Sequence, residues 1–169
     1  MSAYISLGIV DCSSISRKSQ IAIEYAYRVI EYAPETWVFW VYASDRSRFK
    51  EAYRDIATKV ELPGRDDPNS DILLLVYNWL SDESNGRWLM IVDNADVDQV
   101  FSSPGAGSKS SAQAADGGSE TKPLSGFLPQ SRNGWILVTS RDHLAALNLV
   151  GNNTNVTQVE PMAEEDALT

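Results

Sequence analysis

Trp88-Leu-Met-Ile-Val-Asp93-Asn-Ala-Asp96 is the stretch that decides the fold. Five apolar residues run straight into a carboxylate. The run is too short for a membrane helix and fits a strand buried on both faces. The carboxylate of Asp93 then emerges at the C-terminal end of the strand, the edge where open α/β sheets bind ligands. An acid there suits a magnesium ion carried on a nucleotide phosphate, the arrangement of a Walker B motif. Buried strands also end in Asp for reasons of turn chemistry alone, so the weight of the motif rests on its surroundings.

On the N-terminal side, Tyr4 to Val10 is an apolar run that predicts a first strand, and a polar loop, Asp11 to Arg17, follows it. From Lys18 the pattern is helical. Ile21, Ala22, Tyr25, Ala26, Val29 and Ile30 fall on one face, and Pro34 stops the helix. Trp37 to Ala43 is rich in aromatic and β-branched residues and predicts a second buried strand. A helix through Phe49, Tyr53, Ile56 and Val60 starts at Ser44-Asp45 and ends at Leu62-Pro63-Gly64. Asp67-Pro68 predicts the start of another, with Ile72, Leu75, Val76, Trp79 and Leu80 apolar.

On the C-terminal side, residues 102–122 are Ser, Gly and Ala with almost no large apolar groups, a composition that predicts a disordered surface loop. Gly134 introduces a buried strand over Trp135 to Thr139. A short helix over Arg141 to Val150, a strand over Val156 to Val159 and a helix beginning at Met162 complete the pattern. Strands alternating with helices mean βαβ units and a mainly parallel sheet of four or five strands.

The composition suits one soluble α/β domain: 169 residues, 43% hydrophobic and 22% charged. Asp and Glu number 23 against 14 Lys and Arg, a net charge of −9, which argues against a nucleic-acid surface. No apolar run is long enough to span a bilayer, and no basic n-region precedes an apolar stretch at the N-terminus. A single cysteine, Cys12, leaves no internal disulfide framework. These features predict a cytoplasmic protein. The lone histidine, His143, reads as a surface helix residue, because a metal site needs more ligands. The five tryptophans read mostly as core.

Two further strand edges could carry chemistry. Lys18-Ser19 stands at the start of the first helix, where a phosphate loop places a lysine for the β- and γ-phosphates and a hydroxyl for magnesium. The loop's glycines are missing: Cys12 and Arg17 stand in their places, and a side chain there narrows the room for phosphate. The plain reading of Lys18-Ser19 is a solvated helix end. Ile136-Leu-Val-Thr139-Ser140-Arg141 delivers two hydroxyls and a guanidinium at another strand end. The planar fork of arginine suits phosphate, while the plain reading is a helix cap by Ser140 and a surface arginine.

Taken in order, Lys18-Ser-Gln-Ile-Ala-Ile-Glu-Tyr-Ala-Tyr27, Trp37-Val-Phe-Trp-Val, Trp88 to Asp96, Phe127-Leu-Pro-Gln, Gly134-Trp-Ile-Leu-Val-Thr-Ser-Arg141 and Val159-Glu-Pro-Met162 resemble the NB-ARC domain of STAND-class P-loop NTPases, in the style of fungal NOD-like receptor proteins. The match covers nearly everything from Lys18 onward. The resemblance implies a three-layer αβα P-loop NTPase core used as a signalling switch, closed with ADP and released to oligomerise with ATP. It implies that Lys18, Ser19, Gln20, Ser140 and Arg141 contact ADP or ATP, that Ser19 and Asp93 hold Mg2+, that Asp93 is the catalytic-site acid, and that Arg141 senses the γ-phosphate. Asn94 stands where some relatives carry a second acid. An amide cannot take a proton from water, so hydrolysis is expected to be weak or absent. The implied partners are the nucleotide and further STAND chains, with neither nucleic acid nor membrane.

Two departures from the family pattern stand out. The Gly-rich segment before Lys-Ser is either replaced, with Cys12 and Arg17 at the glycine positions, or begins at Ser6-Leu7-Gly8 with residues 9–17 standing where its end belongs. Residues 1–169 are also expected to form only part of an NB-ARC domain, without its helical and winged-helix subdomains. The competing expectation is a degenerate pseudo-NTPase that binds no nucleotide and acts as a protein-interaction module.

Overall fold

A strand buried on both faces needs helices on both sides of its sheet. The computed structural model describes residues 5–10, 17–96, 123–150 and 155–159, and meets that need. Its elements are β1 (Ile5–Val10), α1 (Arg17–Tyr32), β2 (Trp37–Tyr42), α2 (Arg46–Lys59), α3 (Ile72–Ser81), β3 (Trp88–Asp93), β4 (Gly134–Ser140), α4 (His143–Val150) and β5 (Asn155–Gln158). The strands form one sheet in the order β2-β3-β4-β1-β5, every neighbouring pair parallel. This is the α/β layered architecture expected from the sequence. The Ser/Gly/Ala-rich segment 102–122 and the helix expected from Met162 lie outside the described residues.

All six residues of β3 are buried, which explains its unbroken apolar run. Met90 and Val92 point into the larger core, with Phe39 and Val41 of β2, Phe49, Tyr53 and Ile56 of α2, and Leu73, Val76 and Leu80 of α3. Leu89 and Ile91 point the other way, onto Ala22 and Ala26 of α1 and Leu137 of β4. The two alanines let α1 lie close to the sheet. The apolar stripe of α1 is wider than the surface it buries: Ile21, Tyr25 and Ile30 remain exposed.

Backbone detail fixes the packing at the N-terminal edge of the sheet. Gly134 pairs with Trp88, and a Cβ on it would collide with the Trp88 ring. The indole therefore lies across the glycine, fully buried, with Nε1 donating to the Leu80 carbonyl at 2.9 Å. Trp37, by contrast, is 37% exposed, so the aromatic residues are not uniformly core.

One expected boundary moves. The third helix starts at Ile72 rather than at Asp67-Pro68. Asp71 is its N-cap, accepting from the backbone N–H of Leu73 and Leu74. The Asp67 carboxylate instead accepts from the Asn69 backbone N–H in a local turn, so the Asp-Pro pair marks a loop.

Candidate functional site

β3 and β4 lie side by side at the centre of the sheet, so their C-terminal ends bring Asp93, Thr139, Ser140 and Arg141 to one edge. The first turn of α1 brings Ser19 to the same place. Its hydroxyl donates to both carboxylate oxygens of Asp93, at 2.9 Å to Oδ1 and 3.1 Å to Oδ2. The bond joins residues 74 apart in the chain. Asp93 is 3% exposed.

Thr139 completes the shell around this carboxylate. Its Oγ1 donates to Asp93 Oδ1 and accepts from the Asn94 backbone N–H at 3.0 Å. Asn94 has φ 63, a left-handed conformation that Asn tolerates better than most residues. The turn lets the chain leave β3 while staying tied to β4, because the Ala95 N–H donates to the Thr139 carbonyl at 2.9 Å. Thr139 was read from the sequence only as one of two hydroxyls at a strand end. The signal that singles it out is its position beside Asp93 in adjacent parallel strands.

The outer part of the edge is a second cluster. Ser140 is fully buried, and its hydroxyl lies 2.9 Å from the Ala95 carbonyl and 3.0 Å from both the Asp142 carbonyl and backbone N–H. It fastens two loops together, while the helix cap expected of Ser140 falls to Asp142, whose carboxylate accepts the Leu144 and Ala145 backbone N–H groups. Arg141 is ion-paired to Asp96, with Nε 2.6 Å from Oδ2. The Arg141 backbone N–H donates to Oδ1 of the same carboxylate at 2.5 Å. Asp96 was not among the residues expected at the site. A single Asp three places after a strand has no signature that separates it from a turn residue.

Lys18 is half-buried and engaged by a partner, and Gln20 is exposed. The loop that would cradle phosphate, residues 11–16, lies outside the described residues. Gly8 is not part of it: this glycine sits within β1, paired with Val138 on one side and Val156 on the other. His143 is exposed at the start of α4. The apolar hollow of about 410 Å3 lined by Tyr25, Val29, Tyr32, Leu89 and Trp135 sits at the opposite edge, where β3 and β4 begin.

The donor set fits a hard divalent cation. Ser19 and Asp93 offer oxygen only, a hydroxyl and a carboxylate already in contact, as Mg2+ prefers. Among the described residues, no group of three or more His, Cys, Asp or Glu could enclose a metal ion. An ion here would therefore complete its shell from water and ligand oxygens, which is how Mg2+ is held on nucleotide phosphates.

No protein-family model matches the chain. It is 36% identical over 152 residues to a "Nucleotide-binding leucine-rich repeat (NLR)-like protein" of Hyaloscypha variabilis. The match takes in 89% of this chain but only 14% of that protein, so the chain spans a small part of its relative. Among solved structures, a chain of Drosophila ORC bound to DNA superposes with a TM-score of 0.53 at 14% identity, covering 98% of this chain and 87% of that one. A chain from Drosophila ORC bound to AT-rich DNA and Cdc6 gives 0.51 at 15% identity, covering 98% and 53%. At such identity the likeness concerns the fold alone. Among the described residues, no helix is long and apolar enough to cross a membrane. The chain is a homologue of a fungal NLR-like protein, and its α/β fold is P-loop NTPase-like.

Proposed function

We propose that this chain is an ADP/ATP-binding switch domain of the NB-ARC type, with weak or no hydrolysis. The observation that carries the reading is the bond from Ser19 Oγ to Asp93. A hydroxyl at the first turn of the first helix and a carboxylate at the end of a central strand meet at a sheet edge, the position and chemistry a magnesium-nucleotide site needs. The homology to an NLR-like protein supports the same reading.

Within it, Ser19 and Asp93 hold Mg2+, which screens the charge of the phosphates when bound. Lys18 meets the β- and γ-phosphates, Gln20 follows it at the helix start, and Arg141 meets the terminal phosphate. Ser140 supports the edge from beneath. Asn94 presents an amide beside Asp93, so no second carboxylate stands there to accept a proton from an attacking water, and turnover is slow. The polypeptide is cytoplasmic and works through association with further chains of its class.

Titration of the purified chain with fluorescent ADP and Mg2+ tests this, alongside Lys18→Ala and Asp93→Asn. The native chain is expected to bind, Lys18→Ala to lose binding, and Asp93→Asn to lose the magnesium dependence. Equal and negligible signal from all three proteins would favour a pseudo-NTPase interaction module instead.

A further inference from the structure

We propose that Asp96 is a positioning residue that orients Arg141 to distinguish a nucleoside triphosphate from a diphosphate. This rests on the nucleotide-switch reading above and adds the residue that sets the arginine.

Both oxygens of Asp96 accept from Arg141. Oδ1 accepts the Arg141 backbone N–H at 2.5 Å, and Oδ2 accepts Nε at 2.6 Å. The first bond fixes where the arginine's backbone sits against the loop after β3. The second fixes the plane of the guanidinium, because the group is rigid and Nε is one corner of it. Holding Nε directs the Nη edge of the fork away from Asp96, where it can donate two parallel bonds to a phosphate.

Burial is distributed to match this role. The Asp96 side chain is 11% exposed and the Arg141 side chain 59%. Asp96 is anchored, with Ser140 Oγ at 3.3 Å from Oδ1, whereas Arg141 is held by Asp96 and not by packing. The Arg141 end of the pair is open to solvent, which limits what its attraction adds to stability, so the pair matters for geometry more than for folding. The left-handed turn at Asn94 supplies the reach, bringing the residue two places later across to the end of β4.

An arginine freed from this contact must lose its rotamer freedom again whenever it grips a phosphate. On the switch reading Arg141 meets the terminal phosphate of the triphosphate, so the penalty falls on that ligand and spares ADP. Asp96→Asn is the informative change, because its amide oxygen can still accept the Arg141 backbone N–H while its NH2 group, a donor, no longer accepts from Nε.

The experiment is competition of fluorescent ADP by ADP and by β,γ-imido-ATP, both with Mg2+. The proteins are the native chain, Lys18→Ala, Asp96→Asn, Arg141→Ala, Arg141→Lys and the Asp96→Asn/Arg141→Ala double variant. Asp96→Asn is expected to weaken the triphosphate analogue roughly tenfold, the worth of one charge-assisted hydrogen bond, while leaving ADP unchanged. Arg141→Lys, which keeps the charge and lacks the fork, is expected to show the same selective loss. Asp96→Asn is expected to add nothing in the Arg141→Ala background. The Arg141 Nε–H resonance in a 15N NMR spectrum, protected in the native chain, is expected to exchange away in Asp96→Asn. Unchanged discrimination in Asp96→Asn, with ADP binding lost in Lys18→Ala, overturns this inference alone. So does an Asp96→Asn effect that persists undiminished without Arg141. Failure of the native chain to bind either nucleotide overturns the switch reading and this inference together.

Discussion

Thr139 shows how much one side chain can organise. It donates a hydrogen bond to the Asp93 carboxylate and accepts one from the Asn94 backbone N–H, so it sets the acid and the turn that follows it. Thr139→Val keeps the shape and deletes both bonds. The buried Asp93 oxygen and Asn94 N–H then lose a partner, and the expected cost is about 2 kcal/mol in unfolding free energy by urea titration, from the usual penalty for stranded polar groups. Thr139→Ser is expected to recover most of it. An unchanged urea midpoint for Thr139→Val would show that water replaces the hydroxyl. The sequence made part of this site legible. Asp93 ends an unmistakable buried strand, and Ser19 follows a lysine at a helix start. Thr139 and Asp96 were harder to see, because their roles depend on which strands are neighbours and on the left-handed turn at Asn94. Neither is written in local spacing.

Elements were legible where a hydrophobic period governed them, and less so where a cap did. β3 is buried throughout and β4 over its last four residues, whereas β2, expected as a second buried strand, lies at the end of the strand order and buries only Phe39 and Val41. The start of α3 was misplaced because Pro68 suits a first helical turn, yet the carboxylate that captures free N–H groups belongs to Asp71. The apolar stripe of α1 falls on one face as the spacing predicts, yet only its alanines are buried against the sheet. Pairing across β3 and β4 also carries a sharp constraint, since the Trp88 ring occupies the space where a side chain at Gly134 would sit. Gly134→Ala is expected to destabilise the chain by about 1–3 kcal/mol, the range for overpacking a tight core, measured as a lowered melting temperature. Trp88→Leu in the same chain would relieve the clash, so the two changes together should cost less than the sum of each alone. Simple additivity would mean that the ring and the new methyl never meet.

At the scale of the molecule, two capping carboxylates contribute to the acid limb of stability. The Asp45 carboxyl is held below its ordinary value first by the backbone N–H of Arg48, and that of Asp82 first by the Ser84 hydroxyl. A folded-state value below the unfolded one contributes stability that is present above the unfolded value, about 3.9, and is lost as pH falls through the folded one. Urea midpoints are therefore expected to fall between about pH 5 and pH 2, and the Asp45→Ala/Asp82→Ala variant to show a shallower fall over the same window. Parallel slopes would assign the acid sensitivity to other carboxylates. The strand register has a further, optical consequence. Trp37, Trp88 and Trp135 all stand at or next to the first residue of their strands, whereas Asp93 is the last residue of β3. Five residues of extended chain separate Trp88 from Asp93, about 16 Å. A dye on a nucleotide at that far end would sit close enough to the buried Trp88 indole to draw off part of its emission, so occupancy would be read as dye light excited through tryptophan and lost when the sheet comes apart.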